Sequence, residues 1–344
     1  MRRFFFSALL AMSALSFSQN YNPPIGGEEL FSNLSTNMLS GGFSVTGGAA
    51  WFITPASTLA NPALAAAEQR IVVDIAYTAI PIFADDFSYG QACTAGTILP
   101  FDWGVITAGY GGVYSDLEPL PLGNISAFFT GFSKEIERDF FVGFNLWGGF
   151  GASWALNAGL GILHMIPLGN VVPDFRYGVA AVNLGKTFFS HGEGIIEDGG
   201  RDYPSIFTLR CGAAGTVVNL EMFKLGFSLD LTFPSFLNAI FNFAIGMEIA
   251  KIVVFRANVP VNVRELIEKP KSGTAFPALS LGFQFAINTG KNEFMARNDW
   301  NQSEIVINAG FKPALKGVQK IAGEGTLYLG MPDKEGPTIR IGEE

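Results

Sequence analysis

Charge is what this sequence lacks most. Asp, Glu, Lys and Arg make up 15% of its 344 residues, against about 25% in a soluble globular domain. Cysteine and histidine are scarcer still, at two each, which leaves little material for a metal centre or a Ser-His-Asp triad. The 22 basic residues are outnumbered by 30 acidic ones, for a net charge of -8. The basic footprint that nucleic-acid binding requires is therefore missing. Long apolar runs are missing too, since no stretch approaches the roughly 18 residues of a membrane-spanning helix. What the chain does have is apolar bulk (49%), 33 Phe and 41 Gly, a mixture of strand and turn formers that argues against disorder.

The N-terminus reads as a secretory signal over residues 1–18. Arg2 and Arg3 form a positive region, Phe4 to Leu15 a short apolar region, and Ser16 and Ser18 suit the small positions of a cleavage site. No cysteine follows, so a lipid anchor is not expected. Cys93 and Cys211 sit in separate strand-like stretches, and two isolated thiols in an exported chain either pair or stay free.

From residue 70 onward the dominant pattern has period two. Phe223, Leu225, Phe227, Leu229, Leu231 and Phe233 alternate with Lys224, Gly226, Ser228, Asp230 and Thr232. Phe241, Phe243, Ile245, Met247 and Ile249 alternate in the same way with Asn242, Ala244, Gly246 and Glu248, and Leu279, Leu281, Phe283 and Phe285 with Ser280, Gly282 and Gln284. In each such strand the charges fall on one phase. That phase is otherwise Gly, Ala, Ser, Asn and Thr, where a water-facing sheet would be rich in Lys and Glu. Small residues suit the crowded inside of a closed barrel, and the uniformly apolar phase suits lipid.

These features predict an all-β chain forming a transmembrane antiparallel β-barrel over residues 70–330. About fourteen strands are expected, centred near Asp74, Gly96, Thr107, Phe128, Phe144, Ala158, Gly178, Leu209, Ser228, Ala244, Phe255, Leu281, Ile307 and Leu327. The strands near Gly96 and Leu327 have the weakest patterns, so the range runs from about 12 to 16. The connection from Asn288 to Gln302 is long where a short turn is due, which leaves room for a further strand pair or an insertion. A short tail, residues 331–344, follows the barrel. Residues 19–69 break the alternation and are too long for a leader strand, so within a barrel they are expected to fold in the lumen as a plug. Asn61 is placed to cap a short helix with Pro62 at its first position.

Chemistry is thin elsewhere. His164 lies near a strand end and reads as an interfacial or packed histidine. His191, Glu193, Glu197 and Asp198 lie in a long loop without EF-hand spacing, and a solvated acidic loop outweighs a divalent-cation site there. Gly109-Tyr110-Gly111-Gly112 lacks dinucleotide spacing and a following helix. No enzyme activity, cofactor or resident metal is expected. The charges of the inward phase are Arg176, Arg210, Lys224, Asp230, Glu248 and Arg256. They either pair with one another and with the plug, the favoured reading, or set lumen selectivity for an anionic head group.

The run Gly41-Gly42-Phe43, Gly47-Gly48-Ala49-Ala50 and Ala56 to Leu64, leading into the first strand, resembles the N-terminal hatch of FadL-type long-chain fatty-acid transporters and of the related PorV-like proteins. Tyr177 to Gly185, ending Asn-Leu-Gly, is similar to a strand end of the PorV-like branch. The resemblance implies a 14-stranded outer-membrane barrel whose hatch includes Asn61, Pro62 and Ala63. It further implies passive, hatch-gated uptake of hydrophobic small molecules such as fatty acids. Membrane lipid, a hydrophobic ligand and the outer-membrane insertion machinery would be its partners, with the bacterial outer membrane as its location. The chain ends in Gly342-Glu343-Glu344, a departure from the terminal aromatic of outer-membrane insertion signals. Two readings compete with transport. One is a non-transporting PorV-like scaffold that binds partners through its loops, and the other is a soluble exported β-sandwich.

Overall fold

In the computed structural model the described residues are 34–83, 87–115, 124–151, 153–166, 168–169, 171–172, 174–190, 201–203, 207–268, 277–288, 302–313 and 318–330. The signal segment, the loop around His191, the connection 289–301 and the tail 331–344 lie outside them. The strands are β1 (Ile71–Phe83), β2 (Phe87–Phe101), β3 (Gly104–Ser115), β4 (Ile125–Glu137), β5 (Phe140–Phe150), β6 (Trp154–Met165) and β7 (Arg176–Lys186). They continue with the short β8 (Phe188–Ser190) and β9 (Arg201–Tyr203), then β10 (Thr208–Leu220), β11 (Phe223–Pro234), β12 (Ile240–Ile249), β13 (Val253–Asn262), β14 (Ala278–Asn288), β15 (Gln302–Pro313) and β16 (Gln319–Leu329).

Among the described residues, all of these except β8 and β9 form one closed antiparallel barrel of fourteen strands, each beside its neighbour in sequence. The fourteen expected centres fall one in each strand. The barrel closes where β1 meets β16, with Ile71 opposite Leu329. Closure leaves no unpaired strand edge. β14 pairs directly with β15 up to Asn288 opposite Gln302, and residues 289–301, the place of the expected strand pair or insertion, lie outside the described residues.

The two phases separate as the pattern requires. Phe243, Ile245, Leu281, Phe283, Phe285 and Ile307 are 41–52% exposed on the outer wall. Ser228, Asp230, Asn242, Arg256, Asn258, Asn308 and Thr326 are buried on the inner one. The chain enters and leaves the barrel at one end, where residues 102–103, 138–139, 221–222 and 250–252 make tight turns. At the tightest, Ala250 and Lys251 both take positive φ, 53° and 58°, the backbone twist that a tight hairpin favours. The connections after β3, β7 and β13 leave from the opposite end, while those after β6 and β14 leave from the turn end. Helices are short: α1 (Thr36–Ser40), a 3-10 turn (Pro55–Leu59), α2 (Leu64–Ala67) and α3 (Val263–Glu268). Among the described residues no helix is long and apolar enough to cross a membrane.

Candidate functional site

Residues 34–69 pack against the inner phase around the wall. Helix α1 touches β13 to β16, the 3-10 turn touches β1 to β3, and α2 touches β3 to β5. Inward glycines make this approach possible. A Cβ on Gly143 would meet the Pro62 carbonyl carbon at 2.5 Å, one on Gly178 the Val45 oxygen at 2.7 Å, and one on Gly246 the Ala50 nitrogen at 2.6 Å. A Cβ on Gly226, opposite Gly246 across the β11–β12 pair, would collide with the Ala49 oxygen. The seat is therefore cut into the wall by missing side chains.

The Asn61-Pro62-Ala63 triplet sits at one anchor of this segment. The Asn61 amide donates to Val45 O (2.8 Å) and to Ile162 O of β6 (2.9 Å), and its Oδ1 accepts from Ala63 N–H (3.0 Å). The helix begins at Leu64, with Ala63 as its cap residue, so Pro62 lies in the turn before it and not at its first helical position. Asn61 spends its bonds across the lumen as well as locally, which a cap alone does not require. On the adjacent strand Asn145 donates to Thr58 O at 2.7 Å.

The six inward charges identified from the sequence all face inside, and four are deeply buried. Asp230 Oδ1 accepts from Ser44 Oγ (3.0 Å) and Val45 N–H (2.9 Å). Arg176 donates from Nε to Thr46 O (2.8 Å), from Nη2 to Gly48 O, and from Nη1 to Asp174 (3.2 Å). Arg210 reaches Phe43 O and Thr232, and Arg256 donates to Asn308 Oδ1 at 3.1 Å. Lys224 and Glu248 pair with each other at 3.3 Å near the turn end. Arg176, Arg210 and Arg256 each stack over an aromatic ring of residues 34–69: Trp51 at 4.7 Å, Phe43 at 4.4 Å and Phe52 at 4.5 Å. Such contacts contribute about 2 kcal/mol when desolvated. The four buried charges thus meet bonding partners on the wall or in residues 34–69.

Sequence reasoning missed a second group at the β1–β16 seam. Glu324 Oε2 accepts from Asn37 N–H at 2.9 Å, near the start of α1. Thr326 donates to Asp74 at 2.6 Å. At the turn end Arg70 bonds Glu68 (2.7 Å) and Glu304 (2.6 Å) and covers the Tyr328 ring. Burial by itself lowers the Arg70 pKa, but these two bonded carboxylates outweigh it and raise the value above that of a free guanidinium. The one-charge-per-strand rule that found Arg210 would also have found Asp74 and Glu324. It was blind at β16 because the outward positions flanking Glu324 are glycines, Gly323 and Gly325, so the apolar phase there is faint.

The inner wall is also divided. Among the described residues, the buried inward positions of β2 to β6 carry no charge and include Ile98, Val105, Phe129, Phe141, Trp147 and Leu163. The buried charges of the strands lie on β1, β7, β10, β11, β13 and β16. Two apolar clusters join the uncharged side to residues 34–69, one with Phe43, Phe129, Trp147 and Phe188 and one with Phe52, Leu64, Ile98 and Phe141, the second reaching Val306 and Tyr328 of β15 and β16. The Asn-Leu-Gly end of β7 carries a bulge where the β6–β7 register shifts, with Asn183 at φ 60°. His164 lies on the outer phase at the turn end, its Nδ1 3.1 Å from Tyr177 OH and its ring edge-on to Phe140, in keeping with an interfacial histidine. Cys93 and Cys211 are free. Among the described residues no cluster of acidic, His or Cys side chains could hold a metal.

No protein-family model matches the chain, and no curated protein matches it. Solved structures are similar in fold. A Pseudomonas aeruginosa FadL homologue shares 10% identity over 86% of this chain and 98% of its own, with a TM-score of 0.52. The CymD monoaromatic hydrocarbon channel shares 11% over 88% and 98%, with a TM-score of 0.51. The fold that the N-terminal run resembles is thus the fold this chain adopts.

Proposed function

We propose that this protein is an outer-membrane channel that admits hydrophobic small molecules, long-chain fatty acids among them, by passive diffusion, and that residues 19–69 form a hatch gating the lumen. The reading rests above all on one observation: the buried inward positions of β2 to β6 carry no charge, while Arg176, Arg210, Asp230 and Glu324 on other strands bond residues 37–48. A ligand entering from the end opposite the tight turns would travel along the apolar side. Displacement of the hatch near Asn61 to Ala63 would then open the way inward or sideways, the latter near the bulge in β7. The apolar outer wall supports a place in the bacterial outer membrane, with the tight-turn end periplasmic. Export by a cleaved signal over residues 1–18 belongs to the same proposal, as do lipid and the insertion machinery as partners. Arg176, Arg210, Asp230 and Arg256 act in it as hatch anchors, while Lys224 and Glu248 pair beside the turn end.

The gating idea is testable by locking the hatch. Ser40 Oγ and Ser280 Oγ lie 2.7 Å apart, a separation that suits a disulfide between cysteines at the two positions. Ser40→Cys with Ser280→Cys, in a background of Cys93→Ala and Cys211→Ala, should lose oleate uptake into proteoliposomes when oxidised and regain it on reduction. Equal uptake in both states would refute gating. No uptake in either state, or by the unmodified chain, would favour the loop-docking scaffold.

A further inference from the structure

We propose that the crescent between the β11–β16 wall and residues 37–52 is a hydration site, filled by ordered water that completes the bonding of six buried side chains. Asp230, Asn242, Arg256, Asn258, Asn308 and Glu324 are each 1–4% exposed. Each is half satisfied. Asp230 Oδ1 binds residues 44 and 45, Arg256 Nη1 binds Asn308 Oδ1, Asn258 Nδ2 faces Asn242 Oδ1 at 3.5 Å, and Glu324 Oε2 binds Asn37. Asp230 Oδ2, Asn242 Nδ2, Arg256 Nε, Asn258 Oδ1, Asn308 Nδ2 and Glu324 Oε1 have no protein partner.

These atoms are neighbours in the sheet. Asp230 stands opposite Asn242 and Asn308 opposite Glu324, while Gly42 of the segment rests against both Asn242 and Asn258. Three are donors and three are acceptors. A bound cation would satisfy only the acceptors and an anion only the donors. An apolar ligand would satisfy neither. Water both donates and accepts, and a buried water typically takes two to four such partners. Three of the six side chains are ionisable, and leaving those dry carries a heavier desolvation penalty than leaving the amides dry. The opposite wall differs: its unbonded atoms are the hydroxyls of Thr107 and Ser133 and the amide oxygens of Asn145 and Asn157, none of them charged.

If residues 34–69 act as the hatch proposed above, water in the crescent would let this face exchange contacts as the segment moves, beside the direct bonds that Asp230 and Glu324 make to residues 37, 44 and 45.

Radiolytic hydroxyl labelling reads bound water beside buried rings. Phe52 lies under Arg256 and Phe43 under Arg210, on the side of the crescent, while Phe129 and Phe141 stand on β4 and β5, and all four are 4–6% exposed. In the folded protein in detergent, Phe43 and Phe52 should be oxidised at least about threefold faster than Phe129 and Phe141, because the water lies against them. Asn308→Leu should bring Phe52 down toward the Phe141 rate. A difference below threefold among the four native phenylalanines overturns the proposal, whether or not the variant folds. Failure of hatch gating would show in the Ser40–Ser280 lock and would leave this labelling pattern unchanged.

Discussion

Replacing Gly226 or Gly246 with alanine should unseat the N-terminal segment while sparing the barrel. The two glycines face each other across the β11–β12 pair. A methyl group on the first would collide with the Ala49 oxygen, and on the second with Ala50 nitrogen at 2.6 Å and Ala50 Cβ at 2.7 Å. Those obstacles are backbone or directly attached to it, so no side chain can swing aside. Overpacking of this kind costs about 1–3 kcal/mol. Alanine also restricts the unfolded chain, which stabilises by about 0.4–1 kcal/mol, but that gain is shared by the seated and unseated forms and cancels between them. The unseated population should therefore rise about 5- to 150-fold for either substitution. Because both press on Ala49–Ala50, the double variant should fall short of the sum. Limited proteolysis of the segment in detergent measures this population, since cleavage tracks the open form when reclosing is fast. Gly323→Ala and Gly325→Ala are the controls, as a Cβ there meets nothing within 4 Å. Cleavage at the native rate in Gly226→Ala and Gly246→Ala, or an equal rise in the controls, would refute the seat.

The remaining predictions concern the anchors and the wall. Arg176→Met should destabilise the protein by about 3 kcal/mol, because two buried carbonyls lose an ionised donor, and Arg176→Lys should not restore it, since an ammonium lacks the fork; a change of urea midpoint corresponding to under about 1 kcal/mol would count against this. Phe283→Arg, at mid-strand on the outer wall, should cost about 2–4 kcal/mol on refolding into vesicles, and Trp103→Arg, at a turn, about 0–1. Equal costs would contradict an apolar band between the barrel ends. Both cysteines should alkylate without prior reduction, and mass spectrometry finding fewer than two labels would contradict free thiols at Cys93 and Cys211.

Strand number and strand phase were legible because period two is a local property. Each side chain on β11 or β12 declares its face by its neighbours two residues away. The weaker patterns have a common cause. On β2 the outward positions Cys93, Ala95 and Thr97 are as small as the inward ones, and on β16 Gly323 and Gly325 leave the outer face bare. The candidate site was half legible. Isolated charges on the small-residue phase marked Arg176, Arg210, Asp230 and Arg256, and the Asn-Pro-Ala run marked a contact point. Their partners were invisible, because Phe43, Trp51 and Phe52 lie in a segment with no periodicity and more than a hundred residues from the arginines that cover them.

The sequence by itself determined, for the strands with large outward side chains, which side meets water or packing and which side is apolar, because alternation and residue size act over a few residues. Only the tertiary structure decided which charge meets which partner and where the N-terminal segment rests. Both depend on closure: the register of β1 against β16 sets the circumference, and the circumference sets which inward glycines lie in line to receive a backbone. It also separated inward positions without buried charge from those with it, a division spread over strands distant in the chain and therefore absent from any local pattern.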